Sequence, residues 1–176
     1  MNTGQMMLTA GALVLLGTTV LTVNTKTLQH GAILTQTEFG IYAVSLATSY
    51  MEKAAGLDFD EVTAGSNPVS STTQLSTVLG RDGAEVMNNE TTFNDFDDYN
   101  GFNKPDTAQN VGVFIIQAQL SYVDVDNNFL KTATRTFCKR MDMAVIPPVN
   151  RSVYEGTSST GGVDTVKFMY IFSYFQ

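Results

Sequence analysis

The sequence predicts an α+β protein: a long N-terminal hydrophobic α-helix, or stalk, packed at its C-terminal half against an antiparallel β-sheet head. Two observations predict this. Residues 1–25 carry no charged side chain, and no proline occurs before Pro68. Beyond residue 110, three segments alternate apolar and polar residues at the period of a strand. The expected division is residues 1–56 for the helix and 57–176 for an acidic loop region followed by the sheet.

Gln5 to Val23 (QMMLTAGALVLLGTTVLTV) has neither charge nor proline. Crossing the hydrocarbon core takes about 20 apolar residues. This run just reaches that length, with four threonines lowering its hydropathy. A cleaved secretory signal would need a basic n-region, which MNTG lacks. Two other readings are open: a membrane anchor for a soluble domain, and a helix that leaves the membrane to be buried among copies of itself. The next residues favour the second. Thr25 to Gly56 is free of proline and keeps a helical period, with Leu28, Ile33, Phe39, Tyr42, Leu46, Tyr50 and Ala54 near one broad face. The helix is therefore expected from near Asn2 to Ala55, with Gly56 as its C-terminal signal. At 1.5 Å per residue that is roughly 80 Å. Helices average about 11–12 residues, so one this long needs partners, and a bundle of identical helices supplies them. Gly11, Gly17, Gly31 and Gly40 would each cost a solitary helix about 1 kcal/mol. They suit close helix–helix approach or local unwinding, for which Gly17 and Gly31 are the candidates.

Gly65 to Ser76 is a loop by composition, and Thr77 to Lys104 is expected to be irregular and acidic. The three strand patterns are Val111–Val123, Ala133–Ile146 and Val163–Phe175. In the second, Phe137, Lys139, Met141, Met143 and Val145 alternate with Thr136, Cys138, Arg140, Asp142 and Ala144. VDVDNN, ending at Asn128, marks a turn, and Pro147-Pro148 closes the second pattern. Sequential strands with short connections imply an antiparallel meander.

The order of these pieces resembles the type IV pilin and pseudopilin superfamily. The stretches that carry the resemblance are the uncharged helix after the Gly4-Gln5 junction, YAVSLATSYMEKAAGLDFDEV (Tyr42–Val62), FNDFDDYNGF (Phe93–Phe102), and LSYVDVDNN followed by TRTFCKRMDMAVIP. They span most of the chain. The resemblance implies a structural subunit, not an enzyme. It would sit in the inner membrane, be trimmed between Gly4 and Gln5, and be assembled by pilus or secretion machinery into a cell-surface or periplasm-spanning homopolymer. The chain departs from the pattern in its leader, which has no basic residue. Thr9 stands where the family has glutamate at the fifth mature position, and Gln5 where it has phenylalanine. On this reading the filament core is packed by Met7, Leu8, Leu13, Leu15, Leu16, Val20, Leu21 and Leu28.

Little chemistry competes with that role. The net charge of −7 argues against a nucleic-acid partner, which needs clustered Lys and Arg; the Lys139-Arg140 pair reads as strand decoration. His30 is the one histidine, which excludes a histidine metal cluster and leaves a serine triad no base but a residue of the helical stalk. Cys138, the one cysteine, is expected to be a small buried hydrophobe. Asp58 and Asp60 read as a solvated face after the helix. Asp95, Asp97, Asp98 and Asn100 form a D-x-D-D-x-N run of the oxygen ligands that Ca²⁺ takes. The preferred reading is a solvated turn whose Asp and Asn cap backbone groups. No cofactor is expected; a metal in this run would be structural Ca²⁺. The alternative to a filament subunit is a monomeric, membrane-anchored extracytoplasmic binding domain stabilised by such an ion.

Overall fold

The computed structural model describes residues 2–65, 67–83, 85–109, 111–148 and 165–175. Helix α1 runs Thr3–Ala55 without interruption. It is shared by two compact units, one ending at Phe39 and the other beginning at Gly40.

In the first unit the helix is its own polar partner. The hydroxyls of Thr19, Thr22, Thr25 and Thr27 donate to the carbonyls four residues back, at 2.8–2.9 Å. Thr9 donates to Gln5 O at 3.1 Å. The threonines that lower the hydropathy of the run therefore present methyl groups and satisfied hydroxyls, which an apolar environment tolerates. A Cβ added at Gly4, Gly11, Gly17 or Gly31 would meet nothing within 4 Å.

In the second unit the last turns of α1 cover a sheet. The buried helical positions are Ala43, Ala47, Tyr50 and Ala54, a stripe at the i, i+4, i+7, i+11 spacing of one helix face. This is narrower than the sequence predicts: Leu46 is half-buried, while Leu28 and Ile33 are exposed. Three of the four buried positions are alanines, so the bulk comes from the sheet. Tyr42 lies 6.4 Å from Phe114 and Tyr50 lies 5.5 Å from Phe102, ring to ring. Tyr50 Oη also donates to Asp106 at 3.1 Å. Gly56 ends the helix without entering the left-handed region, which Gly65 is the first to adopt (φ +75°).

The sheet is antiparallel, with strands β1 (Phe102–Ala108), β2 (Gly112–Asp124), β3 (Leu130–Thr132), β4 (Cys138–Ile146) and β5 (Val166–Ser173) in the order β1-β2-β4-β5; β3 pairs with the end of β2. Ile116, Ala118 and Leu120 of β2 face Val145, Met143 and Met141 of β4, and all six are buried. Alternation along β4, and along β2 as far as Tyr122, puts one face of each strand in the core and turns the other outward; Val123 breaks it by being buried next to Tyr122. The meander is as expected, with two strands added and two shortened. β1 occupies part of the stretch expected to be irregular. FNKPDTA lacks a strand signature because Pro105 interrupts it, yet proline is accommodated on an edge strand, where the missing N–H can face away from the ladder. β3 is only three residues long. β4 begins at Cys138 rather than Ala133. The β4–β5 connection, residues 147–165, is long, not short, and most of it falls outside the described residues together with the start of the third predicted strand.

Between helix and sheet lie three one-turn elements among the described residues, Glu61–Thr63, Thr72–Gln74 and Asp97–Tyr99. Asp60 caps Glu61–Thr63 and Ser71 caps Thr72–Gln74, each in a reciprocal capping box. Phe59, Val69, Leu75 and Tyr122 form a buried cluster flanked by Leu79, Phe137, Phe172 and Tyr174.

Ala47 is fully buried. Ala47→Leu should over-pack this layer and destabilise the second unit by about 1–3 kcal/mol, seen as a lower midpoint of chemical unfolding in detergent. An unchanged midpoint would show that the last turns of α1 do not pack on the sheet in solution.

Candidate functional site

The eight residues predicted to pack a filament core, Met7, Leu8, Leu13, Leu15, Leu16, Val20, Leu21 and Leu28, are all exposed, at 60–79% of their surface. At about 100° per residue they point in every direction around the axis. A helix that is hydrophobic all round requires lipid or other protein on all sides. Among the described residues, α1 is the one helix long and apolar enough to cross a membrane. Gly4 and Gln5 lie in its first turn, with Gln5 N donating to Asn2 O at 2.9 Å. His30 is exposed on the same helix.

The second cluster is buried, and it overturns two expectations. Lys139 has no exposed surface, nor does Asp60, and Asp97 retains 1%. Lys139 is therefore not strand decoration, and Asp60 does not lie on a solvated face. Lys139 Nζ donates to Phe59 O at 2.7 Å, to Asp60 Oδ2 at 2.8 Å and to Asp97 Oδ1 at 2.5 Å. Three acceptors match the three hydrogens of an ammonium. The ring centroids of Phe59 and Tyr122 lie 4.5 and 5.5 Å from it. Asp60 is held in turn by Ser76, whose N–H and Oγ both donate to it, and by Tyr122 Oη at 3.1 Å. β4 projects the lysine inward, the turn after α1 supplies Asp60, and the loop before β1 supplies Asp97. Three distant stretches of sequence thus meet at one nitrogen.

The D-x-D-D-x-N run is organised around the same point. It is not a solvated turn: Asp95, Asp97 and Asp98 are at most 2% exposed. Its capping role is present. Asp95 Oδ1 accepts from the N–H groups of Asp97 and Asp98 at 2.8 and 3.2 Å. Asp98 Oδ2 accepts from those of Asn94 and Asp95 at 2.9 and 3.1 Å. Asn100 Oδ1 accepts from Leu120 N and its amide donates to Leu79 O, both at 2.9 Å. These oxygens serve N–H donors, and Asp97 is the residue of the run that contacts the Lys139 ammonium. Among the described residues, the three carboxylates whose oxygens approach within 4.8 Å of one another are a different set, Glu61, Asp82 and Glu85. Cys138 is half-buried, with Sγ 3.2 Å from Ser173 Oγ, rather than a core hydrophobe.

Burial shapes the ionisation of this centre. It pushes Asp60 upward, but the charge and hydrogen bond of Lys139, with Ser76 and Val62 N–H, outweigh it and hold Asp60 below the usual carboxylate range. Burial dominates at Asp97, which is raised despite Lys139. At Asp95, burial and the neighbouring Asp97 and Asp98 charges push the carboxyl up to about 9. Sequence reasoning missed Lys139 and Asp60 as a pair. The signal for the lysine was its register, since it falls on the apolar side of the β4 alternation and so needs an internal partner. Nothing in the sequence nominated Asp60 or Ser76.

Comparison with known proteins gave no matching family model, no matching curated protein and no matching solved structure.

Two outcomes follow from this centre. Lys139→Met leaves Asp60 and Asp97 buried without their cation, so the second unit should lose about 3–5 kcal/mol in denaturant titration; a loss under 1 kcal/mol would contradict the ion-pair geometry. The second concerns pH. Asp95 binds its proton more tightly in the folded chain. It therefore erodes stability as pH rises from about 4, its unfolded value, to about 9. Asp60 acts oppositely: its contribution is complete above the unfolded value and lost as pH falls through the folded one. Thermal stability should fall through the neutral range, with a slope from Asp95 of at most about 1.4 kcal/mol per pH unit. Asp95→Asn keeps the Oδ1 acceptor and should flatten that slope. Identical slopes in wild type and variant would exclude Asp95 as the titrating group.

Proposed function

We propose that this chain is the structural subunit of an extracytoplasmic helical filament of pilin type. Its α1 helix sits in the membrane before assembly and polymerises with copies of itself afterwards. The observation that carries this reading is a 53-residue helix whose apolar side chains, from Met6 to Leu28, are exposed around its whole circumference. Each such Leu or Met gains about 1.5–3 kcal/mol on complete removal from water, so this segment cannot rest in an aqueous compartment alone. Lipid meets the need while the chain is anchored. Once the chain leaves the membrane, a core of parallel copies is what can replace lipid at every azimuth. Support also comes from the self-satisfied threonines and from Gly11 and Gly17, where nothing crowds an added Cβ and a neighbouring helix could approach closely. The second unit, with its paired sheet, would face solvent on the filament exterior, at the cell surface or across the periplasm. The partners are then other copies, the inner membrane and an assembly machine, and the role is structural rather than catalytic.

Single substitutions Leu13→Asp and Leu16→Asp place a charge in the core, at a cost of about 2.5–3.5 kcal/mol even in the middle of a membrane helix. Both should abolish filaments in electron micrographs of sheared cells while leaving the unfolding midpoint of the second unit unchanged. Normal filaments from either variant would refute assembly through α1. A wild-type chain found only as a detergent-soluble monomer would favour the membrane-anchored binding domain instead.

A further inference from the structure

We propose that Lys139 and Asp97 are joined by an intramolecular isopeptide bond, an amide between Nζ and Cγ, with Asp60 as the acid–base group for its formation. In water an amine and a carboxylate do not condense, because both are ionised and hydrated and the product is open to hydrolysis. The centre described above removes those obstacles. Nucleophile and electrophile are in contact, Nζ lying 2.5 Å from Asp97 Oδ1, and neither is more than 1% exposed. Groups held at this separation react with an effective molarity far above that of free reactants, on the order of 10⁵ M or more. The walls are aromatic, with the Phe59 ring 4.5 Å from Nζ, so exchange of a separated ion pair for a neutral amide is favoured by the surroundings. A proton acceptor stands on the nitrogen: Asp60 Oδ2 is 2.8 Å away and is fixed by Ser76 and Tyr122. Asp97 is fixed as well, since its own N–H donates to Asp95.

The reaction balances within the site. Asp60 takes one proton from the ammonium, freeing the nitrogen lone pair. Nζ attacks Cγ of Asp97, and the C–N bond forms as the carboxyl becomes tetrahedral. One carboxyl oxygen then leaves, its C–O bond breaking, and departs as water with the proton held by Asp60 and a second proton from nitrogen. Asp60 returns to its carboxylate, no atom changes oxidation state, and no other reactant is required. The product N–H keeps Asp60 or Phe59 O as acceptor. The bond would tie β4 to the loop before β1 across 42 residues. The head could then be pulled by its ends without separating these elements, a property of value to a subunit carried on the outside of a fibre.

The full-length wild-type chain, purified in detergent and then denatured, should weigh less than its sequence by the mass of one water, after allowance for any N-terminal trimming. Proteolysis should yield a branched peptide joining the segment with Lys139 to the segment with Asp97. That peptide distinguishes the cross-link from water loss elsewhere. Asp97→Asn should form the same amide by releasing ammonia and so reach the wild-type mass. Lys139→Arg should retain its full sequence mass. Asp60→Asn, which leaves both reacting groups in place, should accumulate the uncondensed form. A wild-type chain of full sequence mass, with Lys139 and Asp97 in separate linear peptides, would overturn the proposal whether or not any variant folds, and it would leave the filament reading untouched.

Discussion

The ammonium of Lys139 is the point on which the second unit depends. A lysine removed from water is costly unless every hydrogen finds an acceptor and its charge is balanced. Here the acceptors come from the turn after α1 and from the loop before β1. Satisfying the lysine therefore dictates where those two irregular stretches sit. Their own polar groups are then settled in sequence: Ser76 and Tyr122 on Asp60, the 95–98 backbone on the Asp95 and Asp98 carboxylates. A region with little regular structure acquires one conformation because a buried cation permits few others. An amide in place of the ion pair would make the same geometry permanent.

The helix imposes the opposite constraint. Inside the second unit its demands are modest, since alanines and Tyr50 fill one stripe against the sheet. Ahead of Gly40 its apolar side chains are exposed on all sides, so the sequence there is written for surroundings other than its own chain. Between Thr9 and Thr27 the threonine hydroxyls are bonded to the helix backbone and make no claim on water. One segment thus suits both lipid and a helical core, and that double compatibility underlies the reading of a subunit moving from membrane to filament.

The helix and the three main strands were legible because their periods are strong and long. Val111–Val123 alternates cleanly, and the uncharged run is long enough and apolar enough to cross a membrane. β1 was hidden by Pro105, which removes the strand signature while remaining compatible with an edge. β3 is too short to show a period. The buried helical stripe was misjudged because alanine carries little hydrophobic signal: Leu28 and Ile33 drew attention, whereas Ala43 and Ala47 are the residues packed on the sheet. The acidic run was legible as a capping element but not as a buried one, because its burial depends on Lys139, 42 positions away from Asp97. Local composition cannot carry that information. The register of Lys139 within β4 could have supplied half of it.

The most direct measurement is electron microscopy of native material sheared from cells, with mass spectrometry identifying the chain in the same fraction. Thin, uniform filaments built from this chain, with α1 inaccessible to protease and the second unit exposed, are what the account predicts. The chain recovered solely as membrane-bound monomers, under conditions in which it is abundant, would contradict it.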